Sequence, residues 1–443
     1  MKTRMPPGPR MPKALQTALM IRWQNSFLKN CQRNYGDCFT VRIMGQAPLV
    51  YVVDPALVRT VFTGDMKVFH AGESNAMLGP ILGQNSLLLL DEEEAMRTRA
   101  QAKPPFHGDS VRRQVETMSD IAVREVLTWP VGQTFPLMPR MQNITFEVIL
   151  RTVMGVNENA RLAEMHTAFR PLVDVDGVLL LGMIQQRLLK YRPWKDVMDA
   201  RERARTLLLD QIARTKTDPD LADRPDVLAM LVRAGEMSDE QLSDQLITLL
   251  IAGHETTATA LSWAFERLTR FPEVLARAAK AADEDDIQYL DALVMESLRA
   301  RPVFPDVGRK LTRETKLGDW TLPAGTLVAP GINLMHNDGR HYENPTELRP
   351  ERFAERGMLA NTWIPFGGGT RRCLGATFAS VEMRVVLREV LRRVEFATTT
   401  APPEQAKVRH VTLVPHRGSR VTVVSRRAYS TESDTVSTGS PGA

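Results

Sequence analysis

Ten residues, Phe366-Gly-Gly-Gly-Thr-Arg-Arg-Cys-Leu-Gly375, place one thiol at the end of a flexible, cationic loop, just before a run bearing Phe378, Val381 and Val385 at helical spacing. Glycines let a backbone approach a flat ligand closely, and N–H groups at a helix start favour negative charge, so Cys373 is a candidate thiolate and metal ligand. Two plainer readings compete: a small buried hydrophobe, or a phosphate cradle. The loop lacks the Lys-Ser/Thr ending of a nucleotide loop and follows no Gly-x-Gly-x-x-Gly strand context, which weakens the cradle.

A second group lies in Ala252-Gly-His-Glu-Thr-Thr257. Glycine and two β-branched threonines weaken an otherwise strong helical pattern, and such a local conflict points to function. The hydroxyl of Thr256 can turn to the carbonyl of Ala252 four residues back, opening a groove, while Glu255 beside it offers an acid. The plainer reading is a surface glutamate with two core threonines. His254 is given no role. Glu296 and Arg299, three apart, read from pattern alone as a solvent-facing pair opposite Leu290, Val294 and Leu298, contributing about 0.2–0.5 kcal/mol.

The elements that must hold these groups are mainly helical. Ser238 and Gln241 form a capping box for a helix running to Arg270, stopped by Pro272 and about 50 Å long. Helical spacing also marks 15–28, 144–153, 200–212 and 381–394. Strand patterns are short, at 39–53 around the turn Gly45-Gln46, at 310–328 and at 410–424. The fold class expected is mainly α with small β-sheets, one domain over 1–425, with 426–443 a disordered Ser/Thr/Gly-rich tail.

Composition narrows the function further. In 443 residues, charged residues make up 25% and the net charge is +5, with Lys and Arg scattered and no basic stripe with interleaved aromatics, which argues against nucleic acid. Cys31, Cys38 and Cys373 are too few for a disulfide framework and suit a reducing cytoplasm. No run approaches the ~18 apolar residues of a membrane span, and Met1 to Met5 is too short for a signal peptide before Pro6, so a soluble, cytoplasmic protein is expected.

Taken together, Phe366, Gly369, Arg371, Cys373 and Gly375 match the haem-binding signature of the cytochrome P450 family. The chain resembles that family from Pro6-Pro-Gly-Pro9 to Pro415-His-Arg-Gly418, and in detail its actinobacterial, especially mycobacterial, members. The resemblance implies haem b (iron protoporphyrin IX), with Cys373 its axial thiolate and Phe366, Gly369, Arg371 and Gly375 around it. Glu255 and Thr256 become the acid-alcohol pair that passes protons during oxygen activation. Arg99, Arg309 and Arg371 fall near the haem propionates, and Arg352, from Pro350-Glu-Arg-Phe353, joins Glu296 and Arg299 in a buried triad. Where the family usually has His or Trp, four residues before Arg99, this chain has Ala95, which leaves a propionate contact missing or replaced. The acidic run Asp91 to Glu94 before it reads as capping that helix.

The activity so implied is monooxygenation of a lipophilic substrate, whose pocket would be formed by 69–90, 173–184 and 303–307. With no flavin or NADPH-binding segment, electrons are expected from a ferredoxin and its reductase, docking on Arg97, Lys103, Arg349 and Arg372. The alternatives are a peroxide-dependent haem-thiolate enzyme and a haem sensor or electron carrier without turnover.

Overall fold

The computed structural model describes residues 4–173, 186–356, 361–409 and 411–427. Of the tail expected from 426, Arg426 instead ends a strand paired with Val394; residues from 428 onwards, and the expected pocket segment from 174 to 184, lie outside the described residues. The architecture is helical with small sheets at its margins. The helices that matter for the site are α1 (Lys13–Tyr35), α2 (Pro55–Thr63), α3 (Glu92–Ala102), α4 (Met138–Val148), α5 (Trp194–Lys216), α6 (Asp239–Leu268), α7 (Ile287–Ala300) and α8 (Ala376–Arg393).

Helix α6 runs through the centre. Its start is fixed by the capping box: the Ser238 hydroxyl accepts the Gln241 N–H (3.2 Å) and the Gln241 side chain accepts the Ser238 N–H (2.9 Å). Buried residues make up 22 of its 30, on all sides, so neighbours must surround it. They are α4, α5, α7, α8 and a C-terminal hairpin. One stripe breaks the burial. Leu249, Ile251, Ala252, Gly253 and Thr256 keep accessible surface in mid-helix, while 242–248 and 257–268 are buried.

Five short strands form the main sheet: β1 (Cys38–Val41), β2 (Leu49–Val52), β3 (Phe69–His70), β4 (Arg309–Leu311) and β5 (Leu327–Pro330), in the order β1-β2-β5-β4-β3. Only β2 and β5 run parallel. The sheet encloses a core of its own, with Phe39 stacked on Tyr51 at 5.5 Å, and carries Arg309 at its edge-proximal strand. The hairpin of β6 (Ala406–Arg409) and β7 (Thr412–Pro415) is tied to α6 by the Trp263 indole N–H, which donates to the Leu413 carbonyl (2.7 Å).

The helical run read at 144–153 divides in the structure. Residues to Val148 belong to α4, and Ile149–Val153 form a π-helical turn. A Cβ on Gly253 would lie 2.8 Å from Ile149 Cδ1, so the wide turn packs closely against the glycine of α6.

Beneath the sheet, Tyr51 donates its hydroxyl to Asp306 (2.9 Å), and burial pushes the Asp306 carboxyl up from 3.8 to about 6. Between about pH 4 and 6 the folded protein therefore keeps a proton that the unfolded chain has released, so stability falls as pH rises through that window and the full penalty applies above it. The penalty is no more than about 3 kcal/mol, less whatever partial solvation relieves. Asp306→Asn, which can still accept from Tyr51, should melt higher than the wild type at neutral pH, with the difference closing below about pH 4; calorimetric melts across pH decide it.

Candidate functional site

The cysteine loop closes on itself through main-chain bonds: the Cys373 N–H donates to the Phe366 carbonyl (2.9 Å) and the Gly367 N–H to the Ile364 carbonyl (3.0 Å). Its path needs glycine. Gly369 has φ of +64°, and a Cβ there would come 1.8 Å from the Phe62 carbonyl oxygen on α2. Directly after the loop, α8 begins at Ala376, with the Ala379 N–H donating to the Gly375 carbonyl (2.8 Å).

Cys373 has accessible surface, yet it lies deep enough among protein atoms that burial pushes its thiol pKa up. Its open side therefore faces the interior and not bulk water. The Gly375 N–H, Arg372 and Arg99 pull the other way, but burial wins. The Gly375 N–H does act to favour the anion, as expected from the helix start, but desolvation of the anion outweighs it in the protein alone. A bound metal cation is what deprotonates such a sulfur.

Three arginines surround the loop. Burial lowers Arg371, which Arg99 lowers further and Asp91 raises. Burial, then repulsion from Arg371, lowers Arg309 to about 10. Arg371 donates to the Leu87 carbonyl (3.0 Å), but its Nη1 is buried with no hydrogen-bond partner among the described residues. Arg309 lies over the Phe62 ring (5.8 Å) and donates to the Gly308 carbonyl (2.8 Å). Arg99 instead reaches the main-chain carbonyl of Arg372, joining α3 to the cysteine loop.

Mutually repelling, half-satisfied guanidiniums beside a thiol fit a flat ligand with two carboxylates and a metal at its centre, which are the features of a haem. A Cβ on Gly375 would meet nothing within 4 Å, which leaves room for such a plane. Among the described residues no group of His, Cys, Asp or Glu could hold a metal by itself, so a lone thiol needs a ligand that brings its other donors.

Ala95 is buried, and around it lies a cleft lined by Asp91, Glu92, Arg309, Thr370 and Arg371. Of the acidic run before it, Glu92, Glu93 and Glu94 lie in the first turn of α3 as read in the sequence, but Asp91 acts differently. Asp91 makes no cap bond; its carboxylate accepts the N–H groups of Ala71 (2.8 Å), Gly72 (2.8 Å) and Glu73 (2.9 Å). Glu92, at φ +52°, turns to His70 Nε2 (3.0 Å). Three N–H groups converging from a neighbouring turn satisfy Asp91 better than one exposed helix end.

On the opposite side, the Thr256 hydroxyl donates to the Ala252 carbonyl (2.6 Å), within the accessible stripe of α6. Glu255 is buried. Gln142 on α4 donates to its Oε2 (2.9 Å), and Arg409 at the end of β6 comes within 3.5 Å of Oε1. Beside it His254 is turned into the α4 interface, where the Thr145 hydroxyl lies within reach of its Nδ1 (2.9 Å) and its carbonyl (3.1 Å).

A shared contact joins the two sides. Leu87 donates its N–H to Gln245 on α6 (3.1 Å) and gives its carbonyl to Arg371 (3.0 Å). Its loop is held further by Asp244, which accepts from the Asn85 main chain (3.1 Å) and side chain (2.8 Å), and by Thr248 with Ser86 (2.8 Å). Leu88, Leu89, Leu249, Phe304, Phe366 and Leu374 are only partly buried where they pack against the main core.

Behind the site, Glu296 and Arg299 are wholly buried, not solvent-facing as their spacing alone reads. Arg299 clamps Glu296 with two bonds (2.7 and 2.8 Å) and donates to the carbonyls of His336 (3.0 Å), Pro345 (3.0 Å) and Glu347 (3.1 Å). Glu296 also accepts the Arg349 N–H (3.0 Å) and a longer contact from Arg352 (3.4 Å).

Residues 5–422 match the family model for cytochrome P450. The chain is 47% identical, over 98% of its length and 94% of the relative's, to a protein of Mycobacterium tuberculosis named cytochrome P450 135B1. It is 36% identical to that organism's cytochrome P450 135A1, over 96% of each chain. The structure of a retinoic acid-bound cyanobacterial protein, CYP120A1, superimposes with a TM-score of 0.79 at 24% identity, covering 95% of this chain and 99% of that one. With its fold, its cysteine loop and these likenesses in agreement, the chain belongs to the cytochrome P450 family of haem-containing monooxygenases.

Proposed function

We propose that this protein holds haem b through Cys373 and uses it to insert one oxygen atom of dioxygen into a lipophilic organic substrate. The observation that carries the reading is the single accessible stripe in the middle of buried α6, with Thr256 on it and Glu255 beside it, tied through Leu87 to the loop that bears Cys373. When bound, haem supplies oxygen activation, and a thiolate donating electron density favours O–O cleavage.

The chain's own residues do the rest. Arg309 and Arg371 pair with the propionates, which satisfies the buried Nη1 of Arg371, and Arg99 supports the loop from α3 while contributing charge. Glu255 and Thr256 would hold and pass protons from the protein interior to the accessible stripe of α6. The half-buried leucines and phenylalanines exclude water and favour an apolar substrate. Electrons arrive from a ferredoxin and its reductase, docking on exposed Arg97, Lys103, Arg349 and Arg372, two of which flank the Arg99–Arg372 link. All of this suits a cytoplasmic setting; among the described residues no helix is long and apolar enough to cross a membrane.

The test is the absorption spectrum of the reduced, carbon monoxide-bound protein. Wild type is expected to show the red-shifted Soret band of a thiolate-ligated haem, and Cys373→Ser to lose it while still folding. An unshifted band in the wild type would sink the assignment.

A further inference from the structure

His70 ends β3 against the start of α3 and has a carboxylate at each ring nitrogen: Glu73 at Nδ1 (2.9 Å) and Glu92 at Nε2 (3.0 Å). A neutral imidazole has a single N–H to give, so both contacts are hydrogen bonds only when the ring carries two protons. Glu92 is strained in this grip, for its φ of +52° lies in the left-handed region. It also lines the cleft beside Ala95, together with Arg309 and Arg371. We infer that His70, as an imidazolium, holds the Glu92 carboxylate back from those two arginines. Loss of the ring proton lets Glu92 compete with a haem propionate for them, so that haem is held less tightly as pH rises. This rests on the reading of Arg309 and Arg371 as the propionate partners.

Both ends of the latch are fixed by main-chain contacts. Asp91 accepts three N–H groups from the turn 71–73, which ties the residue before Glu92 to the residues after His70. His70 lies opposite Lys310 in the pairing of β3 with β4, so Arg309 is the next residue along the facing strand. The Ser74 hydroxyl reaches the carbonyls of Ala71 (2.9 Å) and Gly308 (3.1 Å), which closes the turn onto the residue before Arg309.

The charged groups that the described contacts bring to the ring come from each neighbouring element. They are Glu73 in the turn after β3, Asp91 (3.6 Å from Nδ1) and Glu92 at the start of α3, and Arg309 and Lys310 on β4. Arg371 of the cysteine loop shares the cleft with Asp91. Burial lowers the proton affinity of His70, but Glu73, Asp91 and Glu92 together more than offset it. Whatever depends on the charged ring is therefore fully present below the ordinary 6.5 and is lost as pH rises through the raised value.

A neutral ring can keep one partner, and Glu92 is the one to leave. Glu73 has a second cation in Lys310 (2.8 Å), whereas His70 is the one cation in contact with Glu92 among the described residues. Leaving also lets Glu92 relax its backbone. Asp91 already favours the charged form of Arg309 and of Arg371, so a second carboxylate from the next residue would act on them with the same sign. Ala95 leaves the room, since its side chain ends at Cβ.

The test follows haem release from the loaded protein to excess apomyoglobin from about pH 6 to about pH 9, a span that brackets histidine titration. Wild type is expected to release haem about fivefold faster at the alkaline end, the effect of one carboxylate reaching the arginines. Glu92→Gln removes the competing charge and should release slowly at both ends. His70→Gln should release fast throughout, and His70→Lys, cationic across the range, slowly throughout. A merely structural role for His70 would speed release by the same factor at every pH in both His70 variants, and so counts against the inference. Should those variants not fold, Glu92→Gln decides, because its side chain is partly exposed and its loss leaves the core untouched. Wild-type release constant within about twofold, or a Glu92→Gln profile that keeps the wild-type slope, overturns the inference and leaves the haem site standing. A wild-type chain that takes up no haem overturns the reading of the site, and the inference with it.

Discussion

Arg299→Leu is expected to lose about 3–5 kcal/mol of stability, because it removes one partner of a wholly buried ion pair and strands the Glu296 carboxylate. The loss reaches beyond the pair. Three main-chain carbonyls, of His336, Pro345 and Glu347, give up their donor in the same step, and each buried carbonyl left unsatisfied carries a penalty of its own. Arg299→Lys should rescue little, since an ammonium cannot serve two carboxylate oxygens and three carbonyls in a fixed fork. Urea unfolding of each variant against wild type checks this. A variant within about 1 kcal/mol of wild type would show that neighbouring segments support themselves without the node.

The second large effect falls on the cysteine loop. In Gly369→Ala, the new Cβ would need the space of the Phe62 carbonyl oxygen, at a backbone angle of +64° that alanine adopts only with strain of about 1–2 kcal/mol. The obstructing atom belongs to the main chain of α2, so no side-chain rotation relieves the clash. The loop must move off α2, taking Arg371 and Cys373 with it. Purified Gly369→Ala is expected to contain far less haem per chain than wild type while keeping most of its helical circular dichroism. Full haem content would show that the loop tolerates another path.

Much of the scaffold could be read from local signals. The capping box at Ser238 and Gln241 marked the start of α6, and the back-bond from Thr256 to Ala252 followed from a threonine within a helix, because both are governed by residues three or four apart. The Glu296–Arg299 spacing was equally visible, but its burial was not: periodicity places the pair opposite an apolar face and says nothing of the 336–349 segment that covers it. Cys373 was legible as a reactive thiol, whereas its raised pKa depends on how many protein atoms crowd it, a property of the folded chain.

Gln142 and Arg409 could not have been found this way. Gln142 lies 113 residues from Glu255, on an unrelated helix, and a glutamine in an amphipathic stretch carries no sign of what it will meet. Asp91 illustrates the opposite failure, in which a strong local signal was overridden. An acidic residue before a helix reads as a cap, but the turn at 71–73 offered three converging donors and took the carboxylate instead.

The way Arg299 reaches its neighbours bears on how the sequence is free to drift. Its guanidinium donates to the 336–347 segment through carbonyl oxygens, which every amino acid supplies alike, and meets the Tyr342 ring at 5.2 Å, while Glu296 takes Arg349 by its N–H. The path of that stretch is therefore written largely in the two residues of α7, and side chains along it can be exchanged wherever they do not make contacts of their own. Two such positions are excluded at once: His336, whose ring accepts the Ile364 N–H, and Tyr342, which packs in a small buried cluster with Phe353. Between them, a mutational scan should find broad tolerance around a pair that admits almost no change.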